Sequence, residues 1–157
     1  GRPVSFYLQR SDVPITAKNF YLNKLQPAQD EQTFSIMDSL LTRNDTTRPF
    51  YYFLFLRFYR LGEDWATDPE LLTPYAIGYG MKFVDEFYRK LHMPQYKWSY
   101  HNWVVSFSLN KFPTDDIKEY LIKEQTKNAK KMTAELKRQI VTFGDSIERY
   151  NMGNSNE

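Results

Sequence analysis

Thr47-Arg48-Pro49-Phe50-Tyr51-Tyr52-Phe53-Leu54-Phe55-Leu56-Arg57-Phe58-Tyr59-Arg60-Leu61-Gly62 is the stretch whose reading decides the fold. Its middle is an unbroken apolar and aromatic run, Phe50 to Leu56. Phe and Tyr favour pleated surfaces, so a strand is one reading. The ends argue otherwise. Thr47 is a capping type, Pro49 suits a first helical turn, and Gly62 suits the residue just past a helix. A segment of that length between a start and a stop reads as helix. Arg57 and Arg60 stand near its C-terminus, where the helix dipole favours cations. A helix apolar on every side is a buried one. Pro49 to Leu61 is therefore expected to be the buried central helix of an all-α fold.

Working outward on the N-terminal side, Arg43 to Thr47 reads as a polar turn. Before it, Phe34, Met37, Leu40 and Leu41 keep helical spacing in a helix opening at Asp30 or Gln32. Residues 2–30 are irregular in pattern and divided by Pro3, Pro14 and Pro27. There Val4 to Leu8 reads as a short extended piece. Ala17, Tyr21 and Leu25 read as one face of a short helix.

On the C-terminal side, Glu63 to Glu70 is an acidic connector. Thr73-Pro74 opens a helix that should end before Pro94, with Ala76, Tyr79, Gly80, Phe83, Phe87 and Leu91 as its apolar stripe. Asp85–Arg89 and Glu86–Lys90 are i,i+4 pairs expected on its outer face. Gly78 and Gly80 weaken a helix, so a close neighbouring backbone is expected there. From Trp98 to Phe112 both an alternating strand pattern and a helical one fit; helix is taken over strand. Thr114 then reads as the cap of a long C-terminal helix, phased by Ile117, Leu121, Met132, Leu136, Ile140, Phe143 and Ile147. Unbroken, it would reach roughly 50 Å at 1.5 Å per residue. That length points to a break near Gln125 to Lys131, where the apolar phase lapses. Residues 151–157 are expected to be a disordered tail.

These elements make one helical domain over 1–150, a bundle of four to six helices. Its 157 residues suit one self-sufficient core. The aromatic share of 17% supplies much of that core, in a chain with few Val and Ile. Gly1 reads as a remnant of tag removal. The charge of +2 is too balanced to mark nucleic acid as a partner. With no cysteine, thiolate catalysis, disulfides and zinc knuckles are excluded. No run approaches the ~20 apolar residues of a membrane span.

The chemistry-bearing signals are few. His92 stands at a helix end, where a cation is favoured. His101, in Tyr100-His101-Asn102-Trp103, is the one candidate catalytic residue, acting with a nearby carboxylate. No histidine pair has metal spacing, and Ala66 spoils the acidic connector as a calcium loop, so no metal or cofactor is expected. There is no Gly-rich phosphate loop. Trp65, Trp98, Tyr100 and Trp103 are the candidate ligand-binding residues, because exposed aromatics make good contact surfaces. Lys123 to Arg138 carries six cations against two acids and reads as a helix able to meet an anionic surface.

Asn44-Asp45-Thr46-Thr47-Arg48-Pro49-Phe50-Tyr51, then Gly62-Glu63-Asp64 and Tyr79 to Phe87, resembles uncharacterised exported helical proteins of Bacteroidetes bacteria. The similarity covers residues 34–91 and departs at the acidic turn, where Trp65 stands in place of small residues. It implies an all-helical fold and export, and no activity. The expectation drawn is a non-enzymatic binding or interaction module, exported by a bacterium, with a protein, peptide or small ligand as partner. The alternatives are an enzyme using His101 and anionic-surface binding through Lys123 to Arg138.

Overall fold

The computed structural model describes residues 2–22, 30–64, 73–91 and 100–155, with backbone alone at 30–34, 58–64, 154 and 155. Among these residues every regular element is a helix. Nine helices form, more than the four to six expected, because two long segments are broken and the N-terminal stretch is helical. The all-α class holds. The residues group into two compact units, Gly1–Pro69 and Glu70–Glu157.

The first unit contains α1 (Val4–Leu8), α2 (Ile15–Tyr21), α3 (Asp30–Thr42) and α4 (Arg48–Asp64). All three earlier helices pack on α4. Phe50, Tyr51, Tyr52, Leu54, Phe55 and Leu56 of α4 are buried on successive sides of the helix, as an all-round apolar segment requires. Met37 and Leu40 of α3 and Ala17 and Phe20 of α2 complete this core. The buried face of α2 thus uses Ala17 and Phe20 rather than Ala17 and Tyr21, and Leu25 lies outside the described residues.

Val4 to Leu8 is helical, not extended. One turn is closed by the Phe6 N–H donating to the Pro3 carbonyl at 3.1 Å. So short a helix is marginal alone. Tyr7 anchors it, its ring 6.3 Å from Phe50 and 6.4 Å from Phe53. Tertiary packing here overrides local preference. Likewise Gly62 does not stop α4, which runs on to Asp64. One glycine costs a helix only about 1 kcal/mol.

The turn before α4 is held by Asp45. Its carboxylate accepts the Thr47 backbone N–H at 2.8 Å and also the Thr47 hydroxyl. The Thr47 carbonyl accepts the Phe50 N–H. Thr47 therefore stands at the cap position while its hydroxyl serves Asp45. These hydrogen bonds, with Arg43 beside them, hold the Asp45 carboxyl below its ordinary range.

The second unit contains α5 (Thr73–Lys82), α6 (Val84–Lys90), α7 (Tyr100–Ser108), α8 (Ile117–Thr126) and α9 (Ala134–Ser155). Tyr100 to Ser108 is helix, which resolves the strand alternative. Phe87 is the hub of the core. Around its ring lie Tyr88 at 4.9 Å, Trp103 at 5.0 Å, Phe143 at 5.5 Å, Phe107 at 5.8 Å and Tyr79 at 6.4 Å. Four helices contribute these rings, mostly in edge-to-face pairs, the geometry aromatic quadrupoles favour.

The helix expected to run unbroken from Thr73 to Leu91 bends at Phe83, with φ −104° and ψ 59°. The cause lies outside the segment. Gln125 Nε2 donates to the Gly80 carbonyl at 3.2 Å, and Asn128 Nδ2 donates to the Met81 carbonyl at 2.7 Å. Asp85, on the far side of the bend, accepts the Lys130 N–H at 2.9 Å. Carbonyls that would have closed the next helical turn are capped by side chains instead. Asp85 thus turns to Lys130 rather than to Arg89. Glu86–Lys90 does pair, at 3.4 Å, but Lys90 is buried rather than on an outer face.

The long C-terminal segment breaks at residues 127–133, close to the expected place. Asp116, not Thr114, caps α8, accepting the Glu119 N–H at 3.0 Å. Thr114 Oγ1 accepts the Asp116 N–H one step earlier. At the other end α9 continues to Ser155, so 151–155 are helical rather than disordered. Gly80 and Gly144 mark close approaches. A Cβ on Gly80 would lie 2.7 Å from the Phe107 ring, so its neighbour is a side chain and not a backbone. A Cβ on Gly144 would lie 2.8 Å from Lys118 Cγ and 3.3 Å from Lys118 Cα, where α8 crosses α9. No described helix is long and apolar enough to cross a membrane.

Candidate functional site

Among the described residues, those singled out in the sequence do not gather into one site. Trp65 and Trp98 lie outside the described residues, as does His92. Trp103 is 1% exposed and stacks on Tyr79 at 6.1 Å, inside the aromatic core. It has no face left for a ligand. Tyr100 is half-buried, its hydroxyl 2.7 Å from Ser146 Oγ and its ring edge-on to Phe143. His101 is exposed, one helical position on, with the Tyr150 ring 6.0 Å away. No carboxylate lies within hydrogen-bond reach of it among the described residues. The basic stretch from Lys123 to Arg138 is not one helix: it spans the end of α8, the break, and the start of α9. Lys127 pairs with Glu124 and Arg138 with Glu135. The cations therefore form no continuous helical face.

What the structure does assemble is a cleft in the second unit, of about 640 Å³. One wall is the loop between α7 and α8, carrying Asn110, Lys111, Phe112, Thr114 and Asp115. The other is the end of α9, where Glu148, Asn151 and Met152 share a face at i, i+3 and i+4 spacing. Ile117, the first residue of α8 and 8% exposed, also lines it. The loop wall is shaped by the stepwise capping through Thr114 and Asp116. Phe112 is braced edge-on against Tyr120 at 5.4 Å. The helical wall is fixed where Lys118 of α8 bridges Asp145 at 2.9 Å and Glu148 at 3.6 Å. Its hydrogen bond to Asp145 raises the Lys118 pKa, which keeps the ammonium protonated.

The cleft combines apolar surface from Phe112, Ile117 and Met152 with amides, a hydroxyl and charges of both signs. Met152 is 66% exposed, and Leu109, just before the loop, 50%. Pockets of roughly 300–1,000 Å³ with mixed linings are the usual size of small-ligand sites. Sequence reasoning missed this cleft because its attention went to Trp and His. One signal was present: Met152 falls out of phase with Phe143 and Ile147, so it leaves the core face of α9.

Compared with known proteins, the chain matches no family model, no curated protein and no solved structure. The fold and the cleft together define an all-helical, aromatic-cored protein with an open cleft of ligand size.

Proposed function

We propose that this chain is a non-enzymatic binding module, exported by a bacterium, whose ligand seats between the loop at 110–117 and the end of α9. The observation that carries the reading is the mixed lining of that cleft. Phe112 and Met152 offer apolar surface there, while the aromatics of Phe87's cluster are enclosed in the core. Adaptable Met surface is a common element of binding sites. The His101 alternative draws no support from an exposed imidazole with no carboxylate beside it. The resemblance over 34–91 supports export.

The test is a titration of p-cresol into the ¹⁵N-labelled chain. Saturable shifts confined to residues 109–117 and 147–153 are expected. Shifts scattered over the surface, or none, would remove the cleft as a binding site. Expression of the complete natural gene followed by cell fractionation tests export, and retention in the cytoplasm rejects it.

A further inference from the structure

We propose that the cleft is built for a short peptide segment bearing an apolar side chain. This rests on the binding-module reading and names the ligand class. The first reason is its two amides. Asn110 stands on the loop wall and Asn151 on the helical wall, and neither side-chain amide makes a hydrogen bond among the described residues. A primary amide accepts through its oxygen and donates through its nitrogen. That is the complement of a peptide group, which offers one N–H and one C=O. One amide on each wall suits a main chain running between them, where backbone hydrogen bonds hold the ligand and side-chain pockets select it.

The second reason is the apolar surface. Phe112, Ile117 and Met152 provide a place for one aliphatic or aromatic side chain. Phe112 is braced by Tyr120, while exposed, unbranched Met152 can adjust to the occupant. The third is charge. Glu148 is shared with Lys118, which leaves Lys111 and Asp115 without ion-pair partners among the described residues. Because Lys118 is divided between Asp145 and Glu148, the lining carries one cation against two carboxylates, so the cleft suits a main chain rather than a phosphate or a polyanion. Its volume accommodates a few residues, not a folded partner.

The experiment uses the whole chain labelled with ¹⁵N and with ¹³C at the Met methyls. Four probes are titrated separately: N-acetyl-Ala-Leu-Ala-amide, N-acetyl-Ala-Ser-Ala-amide, p-cresol and inorganic phosphate. The Leu peptide is expected to shift the Met152 methyl and the Asn110 and Asn151 side-chain amides saturably. The Ser peptide should bind about tenfold or more weakly, since tenfold is about 1.4 kcal/mol and burying a Leu side chain is worth at least that. Asn151→Ala should weaken the Leu peptide about tenfold. It should not lower the thermal midpoint, because Ala is the better helix former, whereas a general disruption of the fold would lower it. Equal binding of the Leu and Ser peptides, or cleft shifts by phosphate, overturns the proposal. If p-cresol binds and both peptides are silent, the peptide assignment falls and the binding-module reading stands. If all four are silent, both fall.

Discussion

Gln125 is 0% exposed and uses both ends of its amide. Its oxygen accepts the Tyr88 hydroxyl at 2.7 Å, and its nitrogen donates to the Gly80 carbonyl. Burial pushes the Tyr88 phenol far above its ordinary value, so it stays a donor and fixes which way the amide points. Gln125→Met keeps the length of the side chain and removes both bonds. The Tyr88 hydroxyl and the Gly80 carbonyl are then stranded, at about 1–3 kcal/mol each. The apolar replacement recovers part of that, so the net loss should be about 2–4 kcal/mol. Tyr88→Phe alone strands only the glutamine oxygen and should cost about 1–2 kcal/mol. In the double variant the stranded hydroxyl is gone. Its loss should fall short of the sum of the singles by about 1 kcal/mol or more. Chemical denaturation of the four proteins measures this cycle. Gln125→Met within about 0.5 kcal/mol of the parent, or strict additivity, would show that the buried network does not act as described.

Gly80→Ala should lower stability by about 1–3 kcal/mol, because the added carbon meets the packed Phe107 ring and outweighs the gain in helix propensity. Gly153→Ala, with nothing within 4 Å, should be neutral or stabilising by up to about 1 kcal/mol, and thermal melts that fail to rank the two this way contradict the packing argument. Asp45 and Asp12 are both held below the ordinary carboxyl value of 3.8, by Thr47 and Arg10 respectively. Their contribution is therefore full above that pH and is lost as pH falls through the depressed folded values. Asp45→Asn should flatten the acid side of the melting-temperature profile, and an unchanged acid limb would count against the Asp45–Thr47 turn.

The sequence was most readable where one segment determines its own state. The run from Phe50 to Leu56 had nowhere to go but a core, and α4 buries it. The lapse of apolar phase after Gln125 marked a real break. What could not be read depends on partners distant in the chain. The bend at Phe83 is held by Gln125, Asn128 and Lys130, and within Thr73 to Leu91 only the helix-weakening Gly78 and Gly80 hint at it, without placing it. Phe87 looked like one position of an apolar stripe, yet it became a hub because α5, α7 and α9 each bring a ring to it. Trp103 shows the same limit. Its aromatic neighbours in sequence suggested a binding surface, and its neighbours in space enclose it. The cleft was hidden for a further reason. Its walls are about 35 residues apart in the chain and consist of residue types that are ordinary on any surface.

The capped bend has a consequence for the order of folding. Its two carbonyl caps come from residues 45 and 47 positions further along the chain. At about 5–20 residues per second of synthesis, they follow Gly80 and Met81 from the ribosome by roughly 2–9 seconds. During that interval the Gly80 and Met81 carbonyls are without the side chains that cap them in the finished fold. A young chain at that stage lacks the donors that hold the elbow in the finished protein. The segment around Gln125 supplies the distant donors to the two carbonyls, and α9, later still in the chain, carries the Phe143 ring that lies against Phe87. The elbow is in this sense a timing mark: it is formed only once the C-terminal third of the molecule exists.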